Sequence, residues 1–194
     1  MTKGMRWRIV SLEVVLVALL GAITGVLMWG SAFSTGQVGS ELIAQKIYFP
    51  PQSQIKPGGA LDPAVFPAEI RQYAGQQVDN GVKARVYAND FISIHLSELA
   101  NGKTYAQVST AAQADPKNAT LAAQKATLFQ GETLRAILLN AYGWWTLGLY
   151  AGYAAIGTAI AALAVLGSLV FELAALLVRP RKAALVAHRA GVSA

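Results

Sequence analysis

Three side chains in the middle of the chain, Asp90, His95 and Glu98, are of the types that acid–base or metal chemistry uses. His95 and Glu98 lie three residues apart, so a helix would place them on one face. A carboxylate beside an imidazole can orient a general base or hold one metal ion weakly. Such a pair is more often a surface or packing contact, and we favour that interpretation.

The residue inventory excludes most cofactor chemistry within one chain. The absence of cysteine excludes thiolate zinc, iron–sulfur clusters and c-type haem attachment. The membrane topology predicted from the basic flanking residues puts His95 and His188 on opposite sides of a membrane, which excludes a bis-histidine haem or a two-histidine iron site. The sequence has no P-loop, GxGxxG or GxSxG motif. We therefore expect no catalytic residue, no cofactor and no metal.

Two apolar segments must position the rest of the chain. Ile9–Ala32 contains one charged residue, Glu13, and Ala136–Val178 also contains one, Glu172. Each segment exceeds the ~20 residues that a helix needs to cross a bilayer. As a helix the second is about 65 Å long, against about 30 Å of hydrocarbon. We predict two transmembrane helices, with part of the second apolar segment outside the lipid.

Basic residues flank both apolar segments on their outer sides. The positive-inside rule then places both termini in the cytoplasm and the central domain outside the plasma (inner) membrane. The net charge of +6 suggests attraction to anionic lipids and not to nucleic acid. The basic residues are Lys3, Arg6 and Arg8 before the first segment, and Arg179, Arg181, Lys182 and Arg189 after the second.

A cleaved signal peptide is the competing interpretation of the N-terminal segment. The basic start and the SAFS sequence at Ser31–Ser34 fit one. The apolar run, however, is longer than the roughly 7–15 residues usual for a signal peptide. We favour a retained anchor.

The predicted fold is an all-α membrane protein with a small helical extracytoplasmic domain. Five of the seven prolines lie in residues 36–81, which we predict to be an extended, turn-rich arm with a short helix near Ala64–Tyr73. Further helices are expected at Tyr105–Ala114 and from Asp115-Pro116 onward, and Asn101-Gly102 should stop a helix. The segments are a basic cytoplasmic N-terminus (1–8), a first span (9–32), the extracytoplasmic domain (33–135, helical over 84–135), a long helix with the second span (136–178) and a basic cytoplasmic tail (179–194).

Small and aromatic residues mark candidate docking positions on both apolar segments. Gly21 and Gly25 lie four residues apart, as do Gly148 and Gly152, a spacing that lets another helix approach closely. The alternative is that glycine is simply common in membrane helices. Four larger residues should lie above the lipid, where a partner or the chain's own helices must cover them. These are Tyr142, Trp144, Trp145 and Leu149.

The two carboxylates inside the apolar segments are a separate question. Ionisable residues within a membrane are functional candidates by default. Glu13 follows Arg8 by five residues and Glu172 precedes Arg179 by seven, so both should lie near the headgroups. We expect them to pair with those arginines or to reach water, with proton uptake as the alternative.

Two stretches resemble a family of actinobacterial two-span membrane proteins. They are ARVYANDFISIHLSELANGKTYAQVS, Ala84–Ser109, and TLFQGETLRAILLNAYGWWTLGLYAGY, Thr127–Tyr153. Family members are often labelled ring-opening dioxygenases, a label that the histidine count argues against. The family includes an accessory subunit of the cytochrome bcc–aa3 respiratory supercomplex. The resemblance implies a subunit without its own cofactor, and it carries over no catalytic residue.

These observations predict a non-catalytic accessory or assembly subunit of a membrane respiratory complex. Its expected partners are lipids and integral membrane subunits, with cytochrome oxidase or cytochrome bcc subunits suspected. The alternative function is a free-standing envelope adaptor or sensor with an extracytoplasmic binding domain. An enzyme with an unrecognised site is the third hypothesis.

Overall fold

A computed structural model describes the backbone of residues 3–191 and the side chains of residues 4–176. The chain is 79% helical, and the described part contains no β-strand. An isolated antiparallel bridge joins Tyr48 and Gln77. The helices are α1 (Lys3–Gln45), α2 (Ala68–Arg71), α3 (Gly81–Val86), α4 (Ser93–Leu99), α5 (Tyr105–Ala114) and α6 (Ala119–Gly191), with a 3₁₀ turn at Gln52–Gln54 and a π-helical segment at Tyr87–Ile92 between α3 and α4.

Two helices, α1 and α6, are long and apolar enough to cross a membrane, as the sequence predicts. In the most apolar part of each, only 6% of the residues are buried within the chain. A core helix of a soluble protein would be mostly buried. The two helices therefore need an apolar environment that the chain itself does not supply.

Helix α1 continues beyond the predicted first span, because it ends at Gln45 and not near Ala32. No proline interrupts residues 33–45, and the Gln37 side chain donates to Glu41 one turn later. Lys46 then takes a left-handed φ of 53°, which ends the helix. The predicted arm at 36–81 is thus wrong for its first ten residues and correct as a turn-rich segment only from Lys46 on.

The turn-rich segment after Lys46 folds into the domain. The Phe49 amide donates to the Gln76 carbonyl and the Val78 amide to the Ile47 carbonyl, both over 2.9 Å, so its two ends lie side by side. The helix predicted at Ala64–Tyr73 is confined to α2. Within this segment Phe49 is buried and its neighbour Tyr48 is exposed.

The next helical stretch, Gly81–Leu99, is bounded by side-chain and backbone caps. The Asn80 side chain accepts from the Lys83 amide at its start. At its end Asn101 and Gly102 both have positive φ, and the Gly102 amide donates to the Ser97 carbonyl. The predicted helix stop at Asn101-Gly102 is confirmed.

Helix α5 has the predicted bounds, and α6 starts later than predicted. Thr104 and Gln107 form a capping box at the start of α5. Asp115 ends α5 instead of starting α6. The Asn118 side chain accepts from the Leu121 amide and so caps α6. The prediction failed here because Asp and Asn both cap helices and only three residues separate the two positions.

The chain divides into two compact units, each described here by itself. Unit 1 contains residues 1–31 and 150–194, and unit 2 contains residues 32–149. Unit 2 has the hydrophobic core, in which buried residues come from every helix of the unit. Ring contacts between 4.5 and 5.9 Å connect a row of aromatic side chains through it: Tyr73, Phe49, Tyr87, Phe91, His95 and Phe66.

Candidate functional site

The part of α6 that belongs to unit 2 has two opposite faces. Leu128 and Leu138 are buried in the core. Between them, Gly131 lies so close to Leu96 that an added Cβ would overlap that side chain. This face holds α6 in the domain, so any binding surface of this part of α6 lies on the opposite side.

Three of the predicted docking residues lie on or beside the inner face. Trp145 packs over Gly81, where an added Cβ would overlap the Trp145 Cβ and Cγ atoms. Tyr142 is half-buried and has the Arg85 guanidinium 6.0 Å from its ring centroid. Gly148 is buried. Tyr142 and Trp145 are therefore covered in part by the chain's own helices, one of the two outcomes that the sequence predicts.

The other two aromatic or apolar candidates, Trp144 and Leu149, remain exposed. The Trp144 side chain is 57% exposed, while its backbone carbonyl accepts a 2.7 Å hydrogen bond from the Ser34 hydroxyl. That bond joins the α6 backbone to α1, while the Trp144 residue remains largely exposed. The adjacent tryptophans thus have different roles, one structural and one available to a partner.

The exposed face of α6 carries a row of mostly apolar side chains that we call the α6 stripe. Its members recur at intervals of three or four residues, which places them on one side of a helix. None is charged, and together they run about 27 Å along the axis. The stripe contains Phe129, Thr133, Ala136, Ile137, Asn140, Trp144 and Leu147, all exposed.

Shallow grooves adjoin the first residue of the stripe. Tyr105 of α5 and Phe129 make a ring contact at 5.9 Å. One groove beside this pair is lined by Ala112, Pro116 and Ala126, and the other by stripe residues and Glu132. Two shallow grooves therefore flank the Tyr105–Phe129 ring pair at one end of the stripe.

Unit 1 contains the remaining docking candidates, and they differ in their surroundings. Gly152 faces α1, because a Cβ added there would lie 2.9 Å from the Ser31 hydroxyl. Gly21 and Gly25 are exposed, and nothing lies within 4 Å of an added Cβ at either position. The Gly21/Gly25 pair therefore makes no close contact inside unit 1, whereas Gly152 does.

Polar side chains join α1 to α6 within unit 1. The Thr24 and Thr158 hydroxyls are 2.7 Å apart, and the Ser168 hydroxyl donates to Glu13 over 2.6 Å. The Glu172 carboxylate pairs with Arg6 at 3.7 Å. The structure shows no pair between Glu13 and Arg8, one of the two outcomes expected for Glu13. The Arg179 side chain lies outside the described residues, so the pairing expected for Glu172 stays a prediction. The sequence shows near neighbours in the chain and does not show the contacts with the facing helix.

The Asp90, His95 and Glu98 side chains do not form a shared site. His95 contacts the Phe66 and Phe91 rings, and its Nδ1 lies 3.3 Å from the Phe91 carbonyl. Burial raises the pKa of Asp90, and the negative charge of Glu69 adds to this effect. No group of three or more potential metal ligands occurs among the residues that the structure describes. His188 lies outside the described side chains, so its predicted separation from His95 stays a prediction.

Sequence reasoning missed Phe129, Ile137 and Asn140. Their spacing was visible in the sequence, but apolar residues occur on both the inner and the outer face of α6 between Phe129 and Leu147, so periodicity could not tell the two faces apart. Two glycines could have identified the inner face. Gly131 of α6 lies against Leu96, and Gly81 lies against Trp145 of α6, so both mark where the domain packs closely on this helix.

The chain matches no protein-family model, and no curated protein or solved structure is significantly similar to it.

Proposed function

We propose that this chain is a non-catalytic accessory or assembly subunit of an integral membrane complex, anchored by α1 and α6. The resemblance of Ala84–Ser109 and Thr127–Tyr153 to a subunit of the cytochrome bcc–aa3 supercomplex makes that respiratory complex the first host to test. The chain contributes a surface and no cofactor. Both termini lie in the cytoplasm and unit 2 lies outside.

The observation that carries the proposal is the α6 stripe. An uncharged row of about 27 Å that includes Phe129, Ile137 and Trp144 is unfavourable in water. It belongs to a helix whose uncharged run greatly exceeds the thickness of a bilayer, so lipid cannot cover all of it. In the proposed function, another protein of the same membrane covers the stripe.

Gentle extraction tests this function directly. Affinity-tagged chain from native membranes, solubilised in digitonin, should migrate on a native gel with haem absorbance and with the respiratory subunits. A chain that migrates alone would support the free-standing adaptor instead.

A matched pair of variants assigns the association to the stripe. Ile137→Glu places a charge within the stripe, and Thr127→Glu places one on another side of the same helix, at an exposed position. We expect Ile137→Glu to abolish co-migration and Thr127→Glu to keep it. Equal behaviour of the two variants would contradict docking through the stripe.

The topology is tested by labelling. A cysteine introduced at Asn101, an exposed residue in a turn, should react with an impermeant thiol reagent in cells whose outer envelope has been opened. Protection at Asn101 with labelling of Ser193→Cys would reverse the assignment.

A further inference from the structure

We infer that α1 and α6 hold ordered water between them at one end of unit 1, where polar atoms of charged side chains are buried without hydrogen-bond partners. We call this site the polar layer, and it consists of Arg6, Glu13, Ser168 and Glu172. The inference rests on the membrane anchoring in the proposed function and does not depend on the α6 stripe. It adds a ligand, water, to the part of the chain that the proposed function places in lipid.

The polar layer is continuous across the two helices. Arg6 and Glu13 are seven residues apart on α1, so they lie on the same side of that helix. Ser168 and Glu172 are one turn apart on α6. The Ser168 hydroxyl donates to Glu13 over 2.6 Å, and Nη1 of Arg6 lies 3.7 Å from Oε2 of Glu172. Both contacts join α1 to α6, so the four side chains form one site.

Four nitrogen and oxygen atoms of the polar layer are buried and form no hydrogen bond with the residues that the structure describes. Elsewhere among the described side chains only Nε of Arg135 is in this condition. A buried polar atom of a charged group is strongly destabilising without a partner, and hydrocarbon has no hydrogen-bonding group to offer. The polar layer therefore needs a hydrogen-bonding ligand. The four atoms are Nε and Nη1 of Arg6, Oε2 of Glu13 and Oε2 of Glu172.

Direct pairing between Arg6 and Glu172 does not satisfy all four atoms. A small rotation of either side chain would close the 3.7 Å gap between Nη1 and Oε2. Nε of Arg6 and Oε2 of Glu13 would still have no partner. The polar layer also sets two carboxyl groups against a single guanidinium. A ligand that both accepts and donates hydrogen bonds is needed even after such a rotation.

Water has the chemistry and the size that these atoms require. Its oxygen accepts hydrogen bonds from Arg6, and its hydrogens donate to the carboxyl groups of Glu13 and Glu172. A buried water typically makes about three such bonds, and a polar gap wider than about 3.5 Å is a common place for one. Only 11% of the Arg6 side chain and 19% of the Glu172 side chain are exposed. A lipid headgroup or a partner's side chain is too large to reach the atoms between them.

Small residues of α6 leave space beside the polar layer. Ser168 is exposed although it donates to Glu13, and nothing lies within 4 Å of a Cβ added at the neighbouring Gly167. Glu13 is five residues from the exposed Arg8, which is about 7.5 Å along the helix. Water therefore has to pass only about one and a half turns beyond a basic residue of the headgroup region to enter the polar layer.

Radiolytic footprinting tests the inference on the full chain in phospholipid nanodiscs. X-rays split water into hydroxyl radicals, which oxidise the side chains that the water touches. Leu169 is 8% exposed and belongs to α6 at the polar layer, whereas Leu12 is 70% exposed and precedes Glu13 on α1. We expect Leu169 to be oxidised several-fold faster than Leu12, because water reaches the first and lipid covers the second. Leu99 of unit 2, which is 43% exposed, gives the rate for a leucine in water.

The other outcomes separate the inference from the proposed function. If Leu169 and Leu12 are both oxidised far more slowly than Leu99, the polar layer is dry; the inference is then overturned and the membrane anchoring stands. If Leu12 is oxidised faster than Leu169, the rates follow exposure in the chain and water surrounds unit 1. That result overturns both the anchoring and the inference. Equal rates at Leu12 and Leu169 also overturn the inference.

Two multiple variants assign the water to these side chains. Replacing the three charged residues of the polar layer by leucine removes all four unpartnered atoms, and such apolar replacement of a buried ion pair is often neutral or stabilising. We expect it to slow the oxidation of Leu169 to the rate of Leu12. The control, Thr24→Val with Thr158→Val, removes another polar contact between the same helices and should leave that oxidation unchanged. Unchanged oxidation in the leucine variant would overturn the inference. Its substitutions are Arg6→Leu, Glu13→Leu and Glu172→Leu.

Discussion

The two units use the same pair of helices, α1 and α6, and differ in how many apolar residues they bury. In unit 1 the contacts between helices include hydroxyl and carboxylate groups, while large apolar side chains such as Leu12, Ile160 and Phe171 face outward. In unit 2 the Ser34 hydroxyl also joins α1 to α6, but sixteen buried apolar residues form one core, whereas the buried apolar residues described in unit 1 are three: Val10, Ala155 and Leu169. Lipid gives no hydrophobic drive for one helix to bury against another, whereas water does. We expect this difference if lipid surrounds unit 1 and water surrounds unit 2, as in the proposed function.

The α6 stripe departs from this division. It belongs to unit 2, yet its exposed face is uncharged and mostly apolar, like the surface of unit 1. An exposed apolar surface on a unit that has its own buried core is the feature that the proposed function explains.

The largest expected effect tests the interior of unit 2. Phe49 is 2% exposed and contacts the rings of Tyr73 and Tyr87, so Phe49→Ala should lower the free energy of unfolding by about 3–5 kcal/mol. The neighbouring Tyr48 is 54% exposed, and Tyr48→Ala should change it by less than about 1 kcal/mol. Denaturation in mild detergent, followed by near-ultraviolet circular dichroism, measures both. Similar losses for the two variants would contradict the assignment of Phe49 to a core.

Replacing two glycines by alanine should change the stability of the chain in opposite directions. Gly81→Ala would drive a methyl group into Trp145 and should cost about 1–3 kcal/mol. Gly143 has no atom within 4 Å of an added Cβ, so Gly143→Ala should stabilise helix α6 by about 0.5–1 kcal/mol. The thermal midpoints should move in opposite directions. A loss of stability for both would mean that the outer face of α6 is already covered within the chain.

A smaller effect is expected between the helices of unit 1. In a double-mutant cycle of Thr24→Val and Thr158→Val, the coupling free energy should be about 0.6 kcal/mol, typical of hydrogen bonds between helices in membranes. Unfolding in mixed micelles gives the four stabilities. A coupling of several kcal/mol would contradict a lipid-facing hairpin held by isolated polar contacts.

The smallest effects concern two carboxylates of unit 2 whose pKa values shift in opposite directions. Amide hydrogen bonds from Ala64 and Gly58 lower the pKa of Asp62 below its ordinary value of 3.8. Its stabilisation is thus present above that value and is lost as the pH falls through the folded pKa. We expect Asp62→Asn to be less stable than the parent chain at neutral pH and equal to it in strong acid.

Asp90 should show the reverse behaviour, because burial first and Glu69 second raise its pKa above 3.8. Asp90 therefore stabilises the folded chain at pH values below 3.8, and this stabilisation is lost as the pH rises through the pKa of Asp90 in the folded state. Asp90→Asn should therefore raise the thermal midpoint at neutral pH and have no benefit in strong acid. Parallel pH profiles for the Asp62 and Asp90 variants would contradict these surroundings.

Sequence reasoning predicted the helical class, both long apolar helices, α5 and the stop at Asn101-Gly102, since these depend on local signals. It ended α1 too early because the polar residues after Ala32 resemble a linker. No proline occurs before Pro50, however, and the helix continues to Gln45. It identified Trp144 and Trp145 as one docking pair, but adjacent residues on a helix point about 100° apart. Only tertiary packing on Gly81 shows that Trp145 is structural and Trp144 is exposed. The partners of Glu13 and Glu172 likewise come from the facing helix.

The central claim is that the exposed face of α6 in unit 2 docks another membrane protein. A photoreactive amino acid at Ile137, within the stripe, should form a crosslinked product with a protein subunit in intact native membranes. The same group at Thr127, exposed on another side of the same helix, should give little of that product. Mass spectrometry of the product identifies the partner and the crosslinked helix. Crosslinking at Ile137 only to lipid, or equally at both positions, would contradict the account.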